Sequence, residues 1–499
     1  MNKCRVENLS LMSGKSFDDD LISRELELIT KKQQFVTWQA PNGEIFQLEL
    51  PHTVYPPRED TNLLANRLVK LGSGNGRNCL EIGTGSGILA LLCRRQGWRV
   101  EACDINPIAV ASARKLFQQN HAEDIRVFEG GPGPLEDGAI TQWAKQKNYD
   151  LIFWNLPYLD VTRDASLLGP MEDAALIETE GKDLFRLIVK KIHQHQLLSD
   201  KGLGLFLVGE SKSTEHLVNT AAKSGFACRV IDTETFDDGE EIKIVAVWRP
   251  FVKAKKIHQT TVTSTSTELL SSNWPIGSSL ASDYQTDGHG RRGRRWDNAA
   301  EVLACSWKIG NSFDTSPNML QLICGFIVKQ CLQQHNQSPN GIQVIQKWPN
   351  DILLKQDCRV GKVCGVLIES ISKGYITETV IGIGINLSKS ENMPVYEIPA
   401  GFAKSLNKDI NKTTLQSEID CRLAGLFEQH PSIPKANLTS YHKLATKSVT
   451  DGFMAPNKLI YRNSEVTFDS VNMDGFVIVR DQKNQLVLCD EGESLKWEF

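Results

Sequence analysis

The chain has 499 residues, of which 40% are hydrophobic and 23% are charged, and its formal net charge is -4. This length is more than a single hydrophobic core usually organises, so the sequence predicts two to four globular domains. The small net charge gives no general attraction to nucleic acid or to anionic membranes. Because there is no long apolar run and no recognisable secretory signal, we expect a cytoplasmic protein without a membrane partner.

The twelve cysteines are scattered along the chain. They form no C-x-x-C pair, and no group of cysteines and histidines has the spacing of zinc ligands. We therefore expect small, buried, reduced thiols, as in other cytoplasmic proteins, and no bound metal in the protein itself.

Short apolar runs alternate with helical patterns from residue 78 to residue 248. Candidate strands are residues 79–82, 99–105, 149–155, 202–208 and 242–248, and candidate helices are 88–96, 107–120 and 181–196. Such alternation predicts a mostly parallel sheet that is covered by helices on both faces. We assign this α/β domain to residues 1–250.

A glycine-rich loop, LEIGTGSG, follows the first of these strands and contains Gly83, Gly85 and Gly87. Glycines let the backbone turn sharply and approach a ligand closely at the start of a helix. Asp104 ends the next strand, about twenty positions later, where an acidic side chain can accept hydrogen bonds from both hydroxyls of a ribose. Together the loop and Asp104 predict a nucleotide-like cofactor.

A third element, Asn155-Leu156-Pro157-Tyr158, directly follows the strand 149–155. The Asn155 amide can donate to and accept from a planar amide or amino group, and a carbonyl before Pro157 adds a second acceptor. Tyr158 offers an aromatic wall. This set would hold an NH2 nitrogen toward an electrophilic methyl group, so that catalysis comes mainly from positioning.

These motifs, together with VYPPREDTNLLANRL at 54–68, resemble the class I methyltransferases with an N-P-P-Y motif, and in particular those that methylate a glutamine nitrogen of peptide-chain release factors. The resemblance implies a Rossmann-like domain and a release factor as a possible partner. It implies that S-adenosylmethionine is held by Glu81, Gly83, Gly85, Gly87 and Asp104, with Glu59, Asp60 and Thr61 nearby, and that the target nitrogen is held by Asn155, Pro157 and Tyr158.

Leu156 departs from this pattern, because the usual motif has a proline there. The Leu156 carbonyl can still accept a hydrogen bond, but the identity of the methyl acceptor is left open. Two alternatives therefore stand beside protein glutamine: the amino group of a nucleic-acid base, and a domain that binds S-adenosylmethionine without catalysis.

Beyond Arg249-Pro250 the pattern changes to a mixture of strands and helices. A basic and then Thr/Ser-rich stretch fits a domain boundary near 250–260, although the same residues could be an edge strand. Candidate strands are 301–307, 342–348, 361–370 and 379–387, with a helix over about 317–335. From about residue 448, short alternating stretches with turn signals predict a small β-barrel.

Four motifs in this second half point to chemistry. GHGRRGRRW (288–296) combines flexible glycines with four arginines, and it is followed by KWPND (347–351), GKVCGVLIES (361–370) and GIGIN (382–386). The ammonium of Lys362, at the start of an apolar strand, would be partly desolvated and would suit a carboxylate and a developing acyl-phosphate. The strand glycines would leave room for a flat ligand. Taken alone, the arginine run could equally be a solvated loop or an RNA-contact strip.

The four motifs resemble those of biotin protein ligases, and the resemblance covers nearly the whole segment 259–499. It implies an α+β catalytic domain at 259–447 and a small SH3-like β-barrel at 448–499. It implies that Ser264, Thr265 and Gln285 line the biotin pocket and that Gly288, Arg291 and Arg294 belong to a loop that closes over it. We expect the cations of this loop to converge with Lys362 on the negative charge that develops when biotin and ATP are joined. Asn350 and Asp351 would lie near the phosphates of ATP and Mg²⁺, Lys362 would contact the carboxylate of biotin, and Gly365, Gly384 and Asn386 would shape the floor.

His289 stands where the family usually carries an arginine. As a neutral imidazole it would supply one hydrogen-bond donor rather than a fork, so we expect weaker retention of biotinyl-adenylate. Related bacterial ligases often begin with an operator-binding domain. The methyltransferase-like domain occupies that place in this chain, so no DNA operator is expected.

The sequence therefore predicts two enzymes on one polypeptide. One would form biotinyl-5′-AMP from biotin and ATP and transfer the biotin to a lysine of a biotin carboxyl carrier protein. The other would be an S-adenosylmethionine-dependent N-methyltransferase of protein glutamine.

Overall fold

The computed structural model describes residues 33–132, 140–157, 183–236, 239–296, 300–310, 314–338, 341–374, 376–389 and 397–499. It divides into two compact units, and the chain passes from the first to the second after Trp248. Two short segments, 225–228 and 431–433, are the exceptions to this division. No helix in the described part of the chain is long and apolar enough to span a bilayer.

The first unit is built on a seven-stranded sheet that is preceded by an antiparallel hairpin. Its strands are β1 (Gln34–Gln39), β2 (Ile45–Leu50), β3 (Asn78–Ile82), β4 (Arg99–Asp104), β5 (Arg126–Glu129), β6 (Tyr149–Asn155), β7 (Leu198–Gly209), β8 (Ala227–Thr235) and β9 (Glu241–Trp248). Its helices are α1 (Glu59–Lys70), α2 (Ile88–Arg95), α3 (Pro107–Gln119), α4 (Leu184–His195) and α5 (Thr214–Lys223). The five predicted strands and three predicted helices are confirmed, with ends that differ by a few residues.

The strand order of this sheet is β5-β4-β3-β6-β7-β9-β8, and β9 runs antiparallel to β7. Strands β3, β4 and β6 are parallel neighbours, so their carboxyl ends lie at one edge of the sheet. Helix boundaries follow local chemistry. Asn106, for example, caps α3 by accepting from the backbone N–H of Ile108, and Pro107 occupies the first turn, where its missing N–H is not needed.

The second unit contains another seven-stranded sheet, of order β10-β11-β12-β16-β15-β14-β13. Its strands are β10 (Lys256–Val262), β11 (Ser279–Gln285), β12 (Glu301–Gly310), β13 (Gln343–Lys347), β14 (Asp351–Gln356), β15 (Arg359–Lys373) and β16 (Ile376–Ser388). Its helices are α6 (Thr265–Ser271), α7 (Pro317–Gln334), α8 (Lys412–Phe427) and α9 (Leu438–Gly452). The stretch that could have been a linker is thus the edge strand β10.

Helix α7 is the central helix of this unit and is apolar over most of its circumference. Ser316 caps it by accepting from the N–H of Met319, and Pro317 begins its first turn. Side chains on several sides of the helix, including Leu322, Ile323 and Val328, are almost fully buried. Such a helix must be enclosed by other elements rather than lie on the surface.

The C-terminal strands β17 (Lys458–Tyr461), β18 (Ser464–Val471), β19 (Val477–Arg480), β20 (Leu486–Cys489) and β21 (Leu495–Glu498) form an antiparallel sheet. Its order is β20-β19-β18-β17-β21, so among the described residues β20 and β21 are the two ends. An antiparallel sheet is confirmed, whereas closure into a barrel stays a prediction. The sequence led us to expect the first β-rich stretch at about residue 448, but helix α9 runs through this residue and the strands begin ten residues later. The helix continues because side chains on its inner face, including Ser448 and Val449, are buried.

Candidate active sites

In the first unit, the loops after β3, β4 and β6 meet at one edge of the sheet. The glycine loop has a left-handed backbone at Gly83, Gly85 and Gly87, with φ of 63°, 51° and 83°. A β-carbon on Gly87 would lie 2.9 Å from the β-carbon of Ala113, whereas one on Gly85 would meet nothing within 4 Å. The loop is therefore packed tightly on its inner side and open at Gly85, as a ligand-binding turn requires.

Two acidic side chains flank this loop. Asp104 is 8% exposed, and its carboxylate accepts from the backbone N–H groups of Gly85 and Asn106, each at 2.8 Å. Glu81 is 4% exposed and accepts from the Thr84 hydroxyl at 2.5 Å. Burial raises the pKa of the Glu81 carboxyl to about 8, although the hydrogen bond from Thr84 opposes the shift. Burial likewise raises the pKa of Asp104.

The amide of Asn155 is held by a carboxylate from another element. Its Nδ2 donates to Oδ2 of Asp60, on α1, at 2.8 Å. Asn155 Oδ1 is buried without a hydrogen-bond partner in the described part of the chain. A buried acceptor of this kind suits an N–H group of a ligand, because leaving it unpaired is costly. Pro157 follows directly, and Tyr158, which we predicted to form an aromatic wall, lies outside the described residues.

In the second unit, strand register places three of the predicted residues in one row. Asp351 pairs with Gly365, and Gly365 pairs with Gly384 on the adjoining strand. A β-carbon on Gly384 would lie 2.6 Å from the indole of Trp296, and one on Gly365 would lie 3.0 Å from the same ring. The two glycines form a floor on which the Trp296 ring lies. The sequence led us to expect room for a flat ligand here, and in this structure the indole of Trp296 occupies that room.

Lys362 lies at the end of this floor. Its ammonium forms an ion pair with the Asp351 carboxylate at 2.7 Å and lies 5.6 Å from the centre of the Trp296 ring. Asn386 donates to the backbone carbonyl of Lys362 at 3.2 Å, and its Oδ1 is buried without a partner among the described residues. Asn350 fixes the neighbouring backbone by donating to the Val366 carbonyl at 3.2 Å. The sequence placed these residues in one site, and the structure brings them together.

A cluster of hydroxyl and amide groups lies at the start of α6. Ser264 caps the helix through the N–H of Thr267. Gln285 accepts from the Thr265 backbone N–H at 2.9 Å and from its hydroxyl at 3.1 Å. The Thr265 hydroxyl also forms a hydrogen bond with the hydroxyl of Ser306 at 2.8 Å, and Ser306 lies outside the sequence motifs. The predicted biotin-pocket residues are therefore neighbours, and a β-carbon on Gly288 would lie 3.0 Å from the Gln285 amide.

The arginine-rich loop is ordered as a small hairpin. The N–H of Gly290 bonds the Arg294 carbonyl at 2.7 Å, and the N–H of Trp296 bonds the Gly288 carbonyl at 2.8 Å. Arg291 and Arg292 do not face Lys362. Arg291 lies 3.5 Å from Glu493 and Arg292 lies 2.9 Å from Glu491, and both carboxylates belong to the turn between β20 and β21.

The side chain of Arg294 is exposed. The convergence of loop cations with Lys362 that the sequence led us to expect is thus not present in this conformation. The reason is electrostatic. Glu491 and Glu493 offer carboxylate partners to the loop arginines, whereas the carboxylate beside the glycine floor is already paired with Lys362.

Both ring nitrogens of His289 form hydrogen bonds. Its imidazole bonds the Glu369 carboxylate at 3.1 Å and the Asp287 carbonyl at 3.2 Å. The hydrogen bond to Glu369 raises the pKa of His289 above its ordinary value, although partial burial opposes the rise. The expectation of a neutral imidazole therefore needs revision, since this environment favours the cation.

The sequence motifs predicted no role for Trp296 or Lys347, although these residues lie within GHGRRGRRW and KWPND. Trp296 covers the glycine floor. Burial lowers the pKa of the Lys347 ammonium, and the charges of Asp351 and Lys362 also act on it. The signal for both was their place in GHGRRGRRW and KWPND, but only packing shows which face of each motif is used.

Among the residues that the structure describes, one group of possible metal ligands lies elsewhere in the second unit. Donor atoms of Cys331, His335 and Glu418 are within 4.8 Å of one another. The Glu418 carboxylate accepts from His335 at 3.0 Å and lies 3.9 Å from the guanidinium of Arg422. Because the Glu418 carboxylate is already held by Arg422 and by hydrogen bonds from His335 and Gln334, we interpret the cluster as a polar network within the fold. The ten buried cysteines of the described chain are free thiols, as predicted, and Cys358 is the exposed one.

Comparison with known proteins finds one matching family model in part of each unit. Residues 58–155 match the model described as "Methyltransferase domain". Residues 255–386 match the model described as "Biotin/lipoate A/B protein ligase family".

The chain is similar to the release factor glutamine methyltransferase of Lactococcus lactis, at 26% identity over 242 residues that make up 46% of this chain and 80% of that protein. It is also similar to the bifunctional ligase/repressor BirA of Escherichia coli, at 31% identity over 44% of this chain, and it spans 64% of that protein's length. A biotin protein ligase from Aquifex aeolicus, solved in complex with biotin and ATP, aligns with 49% of this chain and 99% of its own at 23% identity and a TM-score of 0.36.

The chain therefore carries a methyltransferase domain, resembling the glutamine N5-methyltransferases, fused to a biotin/lipoate protein ligase domain.

Proposed function

We propose that the second domain is a biotin–protein ligase that joins biotin and ATP to biotinyl-5′-AMP and then transfers the biotin to a lysine of a biotin carboxyl carrier protein. The observation that carries this proposal is the row of Asp351, Gly365 and Gly384, with the Lys362 ammonium at its end. A cation beside a floor without side chains fits a flat, carboxylate-bearing substrate, for which the Trp296 ring that now lies on the floor would make room.

The chemistry requires neutralisation of negative charge. Attack of the biotin carboxylate on the α-phosphate of ATP brings two anions together and expels pyrophosphate, and Lys362 would stabilise the charge that develops at the α-phosphate. Asn350 and Asp351 would hold the phosphates of ATP through Mg²⁺, which supplies positive charge there when bound. Ser264, Thr265 and Gln285 would orient the ring of biotin, with Asn386 and the glycines shaping the floor.

The loop would complete the site. Arg291 and Arg294 would turn toward the adenylate when the loop exchanges its present carboxylate partners for phosphate, and Gly288 permits the movement. A closed loop excludes water and protects the mixed anhydride until the acceptor lysine arrives. The ion pairs of Arg291 and Arg292 also count against the reading of this loop as a free RNA-contact strip.

Biotin-dependent exchange of pyrophosphate into ATP, measured on the full chain, tests this proposal. We expect exchange only when biotin is present, and a loss of about 100-fold in Lys362→Met. Lys412→Met, which removes a partly exposed ammonium paired with Asp283, is the matched control and should retain exchange. Exchange without biotin, or with lipoate in its place, would contradict the proposed substrate. Labelling of an isolated carrier domain would then test the second step.

We propose further that the first domain is an S-adenosylmethionine-dependent methyltransferase of protein glutamine, with a peptide-chain release factor as its substrate. The unpaired Oδ1 of Asn155 carries this proposal, because a primary amide N–H is its natural partner. S-adenosylmethionine supplies an electrophilic methyl group when bound. Glu81, Asp104 and the three loop glycines would hold it, while Asn155, Pro157 and Tyr158 would hold the target nitrogen.

Transfer of a labelled methyl group from S-adenosylmethionine tests this function. We expect labelling of glutamine in a release factor and no labelling of tRNA, and Asn155→Ala should abolish the transfer. Labelling of adenine would instead favour the base-modifying alternative. Cofactor binding without transfer to either acceptor would indicate a non-catalytic domain.

A further inference from the structure

The contact between α1 and β6 links a carboxylate to the amide that would receive the methyl acceptor. Asp60 is 2% exposed, and one of its oxygens, Oδ2, accepts from Nδ2 of Asn155. Its other oxygen, Oδ1, accepts from the Thr61 backbone N–H at 2.6 Å and lies 3.3 Å from the Thr61 hydroxyl. Both oxygens of this carboxylate therefore accept hydrogen bonds.

Helix geometry explains why the carboxylate is fixed. Thr61 lies in the first turn of α1, where backbone N–H groups have no partner within the helix. Asp60 satisfies one of these donors from its own turn, and a negative group is favourable at a helix N-terminus. The carboxylate therefore does not depend on Asn155 for its position, whereas the Asn155 amide depends on it.

The orientation of an amide decides its chemistry, because one end donates and the other accepts. With one hydrogen of Nδ2 bound to Asp60, the acceptor that the Asn155 group presents to a ligand is Oδ1. The nitrogen of a primary amide carries hydrogens and needs an acceptor at this place. A reversed Asn155 would present NH2 to NH2, and the target nitrogen would lose its hydrogen bond.

We propose that Asp60 is a positioning residue that sets the amide of Asn155 in the orientation required for binding an NH2 nitrogen. This inference rests on the proposed methyltransferase function and adds a residue that does not itself touch the acceptor. Asp60 acts through Asn155, and the rate of transfer should depend on it although the acceptor never meets it.

The isosteric change Asp60→Asn gives a sharp test. Its single side-chain oxygen should remain on the Thr61 N–H, so its NH2 would face Asn155 and turn that amide over. Methyl transfer to release-factor glutamine should fall about 100-fold in kcat. The rate is measured at saturating S-adenosylmethionine, with the dissociation constant of each variant determined by calorimetry, so that the effect on kcat is separated from any effect of the Asp60 charge on the nearby cofactor.

The exchanged pair should restore function. In the double variant Asp60→Asn with Asn155→Asp, the amide introduced at position 60 can donate to one oxygen of the carboxylate introduced at position 155, which leaves the other oxygen of that carboxylate as the outward acceptor. Asn155→Asp alone would set two carboxylates against each other and should be inactive. Recovery of at least about tenfold over either single variant is expected, and a purely structural role of Asp60 would not give it.

Amide orientation can also be measured without any activity. In chain labelled with ¹⁵N-asparagine, the Asn155 NH2 signals, assigned by their loss in Asn155→Asp, should show nuclear Overhauser contacts to Asp60 and Thr61. These contacts should disappear in Asp60→Asn. Asp124→Asn, in which an exposed carboxylate paired with Arg94 is removed, is the matched control and should keep them.

The two failures are distinguishable. Persistence of the Asn155 contacts in Asp60→Asn, or full activity of that variant, would overturn the role of Asp60. A wild-type chain that methylates neither release factor nor tRNA would refute the proposed function, while the spectra would still decide whether Asp60 orients Asn155.

Discussion

Glu81→Gln should make the stability of the methyltransferase domain less dependent on pH. Burial raises the pKa of Glu81 from 4.5 to about 8 in the folded chain. Between these two pH values the folded state keeps a proton that the unfolded state releases. The contribution of Glu81 to stability is therefore greatest below pH 4.5, falls by about 1.4 kcal/mol per pH unit as the pH rises, and levels off above about 8.

At pH 7 the wild-type domain loses up to about 3 kcal/mol to this protonation. Glutamine has the same shape, can still accept from the Thr84 hydroxyl and carries no charge, so the variant should be more stable by nearly that amount. At pH 5 the gain should shrink to less than about 1 kcal/mol. The difference between the two proteins, rather than either curve alone, isolates this group from every other one that titrates.

Urea denaturation read by hydrogen exchange of peptides from β3 and β4 measures this difference for the first domain alone. This local readout is needed because a chain with two compact units does not unfold in one step. Stability curves that stay parallel for wild type and Glu81→Gln from pH 5 to pH 9 would refute the reasoning, since they would show that Glu81 is ionised in the folded state.

Three further predictions concern single residues. Gly384→Ala should cost about 1–3 kcal/mol and displace the indole of Trp296, because its β-carbon would lie 2.6 Å from that ring; tryptophan fluorescence and pyrophosphate exchange should both change, and an unaltered spectrum would contradict the packing. The hydrogen bond to Glu369 raises the pKa of His289, so the lifetime of bound biotinyl-adenylate should fall as the pH rises through and above 6.5, whereas His289→Arg should show no such fall; equal pH profiles would reject a role for this charge. Leu156→Pro should lower stability by about 1 kcal/mol instead of improving the motif, because the Leu156 N–H donates to a β7 carbonyl at 3.2 Å; chemical denaturation of both proteins decides.

Local sequence patterns were sufficient to predict most strands and helices of both units. The buried strand Tyr149–Asn155 has the predicted bounds, because a continuous apolar run between turn residues has few alternatives to a central strand. The predicted start of the β-rich segment, near residue 448, lies within a helix. Turn signals there did not reveal that the preceding helix continues to Gly452, since helix ends depend on packing as well as on local residues.

The residues of both sites were found mainly because they cluster in motifs. Motifs predict which side chains share a turn, but they do not predict their partners. Asn155 was expected to bind a ligand, yet its contact with Asp60 joins residues 95 positions apart. In the same way, the loop arginines were expected near Lys362 and instead meet carboxylates that follow them by about 200 positions.

The sequence by itself determined the two kinds of domain, their order along the chain and the parallel sheet of the first unit, because glycine turns, strand-end acids and apolar periodicity act over a few neighbouring residues. Only the tertiary structure decided the row of Asp351, Gly365 and Gly384, the cationic tendency of His289 and the orientation of the Asn155 amide. These features depend on strand register and on burial. Both are set by the packing of segments that are distant in the sequence, so no single segment predicts them.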